Sequence, residues 1–506
     1  MRLFKRIPFL SLILISFIFV VAAEESTSDQ GLFELSSAKC SVSKDSLALE
    51  GDVLLKTPFG EIRAKRANAR GTKGAIREDG LLELEGGVVA RSLEGDREVR
   101  CDAASFSCKT GEGSCRGEGN PVFFRQRGSS NEELTMTCQS LTFLLDREKG
   151  GSASSGLSLI RGEGGVVIRR GDGVEAKGET IQTTPDEGDG RGRTIHLHSL
   201  SKPCQITIAE ALFLEASRIV YSENDGVLRL YEPKGEVKLP GISLHLISDF
   251  LTWYPDQKKL ILEGKTKVSS GGMVWIVEGR LTAELNASAL TPPLKVETGL
   301  QSIKPDIIPF KHAFGNIGSG RLQVTAQGKM VLTGIERGMT VDCIGTAVYN
   351  SEKGRLVIER EGAGNKVHLL DKYGEIFSDR TVVVFGKRNL TSRVERIELF
   401  GGVGIVNRIY GSGTGEAAQF LLADEAVIEP LTDSLSLKAK RGKRVLIMDR
   451  VNRLQASAES LQVRRGTDKQ PFSIKGGGDV RFSFKEEELS ELKNRFKLER
   501  SISDKD

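Results

Sequence analysis

Gly86-Gly87-Val88-Val89-Ala90 and, a short polar stretch later, Val99-Arg100-Cys101-Asp102-Ala103-Ala104-Ser105-Phe106 are the two phrases whose reading decides the fold. The first is a glycine followed by alternating apolar residues, the period-2 signature of a strand with one buried face. The second starts on the same alternation and then breaks it once with an extra residue, as a strand does where it bends or rounds a corner. The first phrase recurs as Gly51-Asp52-Val53-Leu54-Leu55, Gly164-Gly165-Val166-Val167-Ile168, Gly235-Glu236-Val237-Lys238-Leu239 and Gly264-Lys265-Thr266-Lys267-Val268. It returns as Gly328-Lys329-Met330-Val331-Leu332, Gly401-Gly402-Val403-Gly404-Ile405 and Gly478-Asp479-Val480-Arg481-Phe482. The second recurs around Ile62 to Ala67, Met136 to Phe143, Leu214 to Tyr221, Leu246 to Trp253, Leu421 to Ile428 and Ala456 to Val463.

Gaps between glycine blocks are 29 or 35 residues, or about twice that at 64, 71, 73, 77 and 78. Degenerate copies fill the long gaps around Cys204 to Ile208, Gly442 to Val445 and Gly119 to Val122. A repeat of about 35 residues with one apolar and one charged face cannot bury that face alone, so repeats must stack into a continuous apolar interior. The predicted fold is therefore all-β, an elongated β-jellyroll or β-solenoid. Composition agrees: 57 glycines, 6% aromatics and two tryptophans suit many short strands better than one large aromatic core. The tail from Lys485 to Arg500, with Leu489, Leu492 and Phe496 at helical spacing, predicts an amphipathic helix capping the last coil.

The expected organisation has repeats over 24–285 and 315–484, a proline-rich stretch over 286–314 and the helix with its tail over 485–506. Pro292, Pro293, Pro305 and Pro309 suit either a linker or an excursion from an unbroken solenoid. Residues 1–23 read as a secretory signal: three basic residues by Arg6, an apolar run from Ile7 to Val21, then Ala22-Ala23 ahead of Glu24. An uncleaved anchor is the other reading of that run. Without Arg2, Lys5 and Arg6 the balance is 69 basic to 68 acidic residues, so the basic pI is mostly the leader's. Charges alternate in sign along most segments, which argues against nucleic-acid binding.

The ordered pair of phrases, best matched over residues 47–106, resembles the organic-solvent-tolerance family, whose members include the periplasmic bridge for lipopolysaccharide transport. The resemblance spans the glycine blocks from residue 51 to 482. It implies a β-jellyroll open along one side, whose groove shields acyl chains while the sugars face water. The expected function is thus a non-enzymatic periplasmic carrier of lipopolysaccharide or a similar glycolipid, with no cofactor and no catalytic residues. Expected partners beyond the lipid are other transport components, met by edge-strand pairing, and further copies of the chain, met end to end. The residues that would line the groove are Val53, Leu55, Val88, Val166, Ile168, Val237, Leu239, Val268, Met330, Leu332, Val480 and Phe482. The same positions also suit the dry core of a structural or adhesive solenoid. The chain departs from the family in being about three times the length of a simple bridge protein, and it lacks the long C-terminal run of amphipathic strands that forms the outer-membrane barrel.

Other chemistries find little material. Among seven cysteines, Cys101, Cys138 and Cys343 stand where other copies carry alanine and read as small buried hydrophobes. Cys108 and Cys115, flanking a glycine-containing turn, are the candidate disulfide. His196 and His198 share a strand face but lack further ligands at zinc-site spacing. Asp186 with Glu187 reads as a solvated loop, and Gly411 to Gly415 lacks the Lys-Ser/Thr and βαβ setting of a phosphate loop.

Overall fold

The computed structural model describes residues 34–496, apart from 71–79, 128–132, 146–156, 186–192, 287–320, 387–393, 409–416, 465–472 and a few shorter loop stretches. The described residues form 35 strands and the helix Glu486–Phe496, and their ladders are antiparallel. The expected all-β architecture is therefore the observed one. The leader, most of the proline-rich stretch, Asp186, Glu187, Gly411 to Gly415 and the final tail lie outside the described residues.

Two compact units are present. The first takes in the strands from Glu34 to Lys238 together with Phe250–Asp256; the second takes in Leu239–Asp249 and the strands that follow Gln257. The strands flanking the proline-rich stretch, Met273–Asn286 and Arg321–Thr333, pair along their whole length from Val274↔Thr333 to Asn286↔Arg321. That stretch thus connects ladder neighbours within the second unit.

In each unit the chain is a meander whose strands fold across a corner, giving two walls with their apolar faces turned toward each other. Ser46–Thr57 shows how. Its residues Ser46 to Glu50 pair with Arg70 to Arg66, and Val53 to Thr57 pair with Ala64 to Gly60. Between them Gly51 and Asp52 face Lys65 alone, a β-bulge with φ of +77° and +47°. Leu49 before the bulge and Val53 after it are both buried, so the bulge redirects the strand without turning its apolar side outward. The walls meet inside: a Cβ added to Gly162 on one wall would lie 3.5 Å from Cys138 Sγ on the other. Along the margin away from the corner, no ladder joins wall to wall among the described residues.

Charge stays outside. On the outer surface of the second wall, Glu98 lies under Arg91 at 3.2 Å, Arg125 at 2.8 Å and Arg100. Burial alone would raise its carboxyl pKa, but the three guanidiniums outweigh that and hold it below the usual range. Arg169 and Lys177 likewise flank Glu175.

The helix has a different position from the one expected. Leu492 is fully buried, and with Leu489 and Phe496 it packs on Val406, Phe420, Leu422, Leu446 and Met448. Those five side chains alternate with Ile405, Leu421 and Ile447, which face the interior. The helix therefore covers the outer face of a wall instead of capping the end of the stack, and the reason is that this wall is apolar on both faces.

Candidate functional site

The candidate site is the apolar interior. Val53, Val166, Met330 and Leu332 are at most 1% exposed. Val88 and Val237 are also buried, and Ile168 is 9% exposed. Leu55 and Val268 are half-buried. The Leu239 side chain lies outside the described residues. The interior positions named from the sequence thus come together, filled by the chain's own side chains.

Val480 and Phe482 do not join them. They are 38% and 76% exposed, because the chain turns at Gly478, with φ +80°, and leaves the sheet. It makes a single bridge, Ser457↔Arg481, before the helix begins. The eighth glycine block has the pattern of a strand but gains no ladder beyond that bridge, and a period-2 pattern without a partner does not fix a strand.

Two hydroxyl pairs in the interior satisfy each other, whereas the buried Tyr349 hydroxyl has no hydrogen-bond partner among the described residues. Thr266, which takes the place of valine in its glycine block, is 2% exposed and bonds the Ser248 hydroxyl at 2.8 Å; Ser378 and Thr381 form a second such pair at 2.8 Å. Cys101, Cys138 and Cys343 sit buried at the small-residue position before the corner, as read from the sequence. Burial pushes the Cys138 thiol up to about 12 and that of Cys343 to about 11, so neither is a thiolate near neutrality. Cys115 is a free thiol buried beside Cys101, whose contact together with burial raises its pKa well above the ordinary value. Cys108, its candidate partner, lies outside the described residues.

The residue just after the small position forms a second row that sequence reading missed, on the outer side of the corner. Asp102 accepts backbone N–H bonds from Glu118 and Gly119 at 2.7 Å and from Asn120 at 3.0 Å. These donors, Asn120 foremost, bring its pKa down to about 2. Glu179 accepts from Leu200 and Ser201 and Asp424 from Lys440, each at a turn beside a neighbouring strand, and Asp249 accepts from Lys265 where the strand Lys259–Ser270 crosses the corner. The signal was available: an acidic residue recurs one place after the small residue.

His196 and His198 lie on one strand face as expected, and burial followed by the charge of Arg218 lowers the His196 pKa. Among the described residues no group of three or more His, Cys, Asp or Glu could hold a metal ion. No family model matches the chain, and no curated protein matches it in sequence.

Proposed function

We propose that the chain is a non-enzymatic, periplasmic carrier that shields the acyl chains of lipopolysaccharide or a similar glycolipid between its two walls. The observation that carries this reading is the apolar interior, lined in each unit by both walls, which among the described residues no ladder closes along the margin away from the corner. Two walls hinged at one side can part at the other, and each methylene then buried is worth about 0.8 kcal/mol. The family resemblance supports the same reading. Exposed edges at Lys39–Val42 and Ser473–Gly477 would offer backbone pairing to other transport components or to another copy.

A second reading, a structural or adhesive solenoid with a dry core, draws on the near-complete burial of Val53, Val166 and Leu332 by the chain's own side chains. Photo-crosslinking residues at Val166, Ile168 and Val237, with Arg169 and Lys238 as outward controls, separate the two in living cells. Glycolipid labelled from the interior positions alone supports the carrier. Labelling no stronger than at the controls replaces it with the structural solenoid.

A further inference from the structure

The outer surface of the first unit carries a group of side chains for which the interior has no use. Four adjacent strands, Arg193–His198, Arg218–Ser222, Val227–Tyr231 and Phe250–Tyr254, run side by side there. Their register aligns His198, Arg218, Tyr231 and Phe250 in one row and His196, Val220, Arg229 and Thr252 in the next. The alternate residues Leu197, Leu230 and Leu251 are buried inside, so both rows lie on the outer side of the wall. Val220 and Thr252 are covered there by their neighbours, and the other six side chains are at least partly open to solvent. At about 4.8 Å per strand the rows are about 14 Å long.

Three observations bear on this surface. Arg218 and Arg229 form no ion pair with a carboxylate among the described residues, whereas the arginines of the other wall share Glu98 and Glu175. The Arg218 guanidinium carbon lies 3.8 Å from the centre of the Tyr231 ring, and its buried Nε, like that of Arg125 on the other wall, has no hydrogen-bond partner among the described residues. Tyr231 and Phe250 meet edge to face at 5.0 Å, so the aromatic pair is held in place before any ligand arrives. The flanking strand continues both rows with the uncharged Thr180 and Gln182.

We propose that this outer surface is a binding platform for an anionic glycan. Guanidiniums without counter-ions match carboxylate or phosphate groups. The Tyr231–Phe250 pair offers apolar ring surface to the C–H faces of sugars on the sides that Arg218 does not cover, and the His196, His198, Thr180 and Gln182 side chains match their hydroxyls. A single nucleic-acid strand would also meet cations and rings, but it needs a continuous basic track. Two guanidiniums in a chain of net charge +4 do not supply one. The platform is on the outside of a wall and does not depend on the interior taking lipid.

Calorimetric titration of the full chain with a galacturonate decasaccharide, maltodecaose and oligothymidylate tests this. The uronic-acid oligomer binds the wild type, maltodecaose binds at least tenfold more weakly, and Arg218→Gln, Arg229→Gln and Tyr231→Ala each weaken the acidic oligomer at least fivefold. Arg169→Gln, the same charge change on the other wall, leaves binding within twofold. Unfolding midpoints of the two arginine variants equal to wild type exclude a folding defect, and the two variants check each other. Absence of uronate binding, equal loss in Arg169→Gln, or tighter binding of oligothymidylate overturns the proposal.

Discussion

In the first unit, Leu81–Ser92 crosses the corner through Gly86 and Gly87, both left-handed at φ +85° and +79°, which together face the single residue Asp102 of the next strand. In the second unit, Lys259–Ser270, Met273–Asn286, Arg321–Thr333 and Thr340–Asn350 cross it with no slip in register. There Gly264 stands opposite Gly279, Gly279 opposite Gly328 and Gly328 opposite Gly345. One region turns by inserting a residue, the other by removing side chains where backbones crowd. A Cβ at Gly87 would meet nothing within 4 Å, whereas one at Gly279 would lie 2.2 Å from the Gln327 carbonyl oxygen. Glycine is thus required in the first case by the sign of φ alone, and in the second by lack of space added to a positive φ, +150° at Gly279 and +115° at Gly328.

The largest expected effect tests that distinction. Gly279→Ala and Gly328→Ala, the latter with its Cβ 2.4 Å from the Glu278 oxygen, each cost about 3 kcal/mol or more in urea unfolding, because backbone must move. Gly87→Ala costs about 1–2 kcal/mol, and Gly87→Asn less, since asparagine tolerates the left-handed region. A Gly279→Ala variant no less stable than Gly87→Ala would break the comparison.

Acid sharpens it at the residue opposite the bulge. The Asp102 carboxyl drops from 3.8 to about 2 on folding, so the stability it contributes is full above the unfolded value and is lost as pH falls through that interval. The difference in thermal midpoint between wild type and Asp102→Asn therefore narrows from pH 3.8 toward pH 2. A difference that stays constant over that range would show that the backbone donors are not what lowers this carboxyl.

The smallest effect is expected at the buried thiols beside both kinds of corner. In the native chain at neutral pH, iodoacetamide modifies the exposed Cys40, while Cys138, Cys204 and Cys343 stay unmodified until urea unfolds their unit. Peptide mass mapping reads this directly, and early modification of Cys343 with Cys138 protected would mean that the unslipped corner opens more readily.

Much of this architecture is legible in the sequence, because the bulge at this corner has two consecutive residues with positive φ and so writes Gly86-Gly87, Gly164-Gly165 and Gly401-Gly402 into it. The break in the second phrase marks the same corner from the neighbouring strand: Lys65, Asp102 and Gln139 are its extra residues. Gly279 and Gly345 escape notice because a lone glycine inside a strand carries no sign of the backbone beside it. Val480 and Phe482 mislead because pattern records a face and not a partner. The run Val445-Leu446-Ile447-Met448, buried throughout, is a strand covered on both sides, and a period-2 reading that expects one wet face does not foresee the helix lying on it. The interior positions were legible as apolar, but whether they close on themselves or around a lipid depends on the spacing of the walls, which no local pattern encodes.

Among the described residues, pairing in the meander does not reach beyond strands three places apart in chain order. A newly delivered strand consequently finds its ladder partner among those that have just preceded it, so the chain can assemble vectorially, each arrival extending an edge already made. Such a polymer has low contact order, and its growth point moves along the sequence as the chain emerges. Chaperoning it would mean shielding one advancing edge, not an entire unfolded chain.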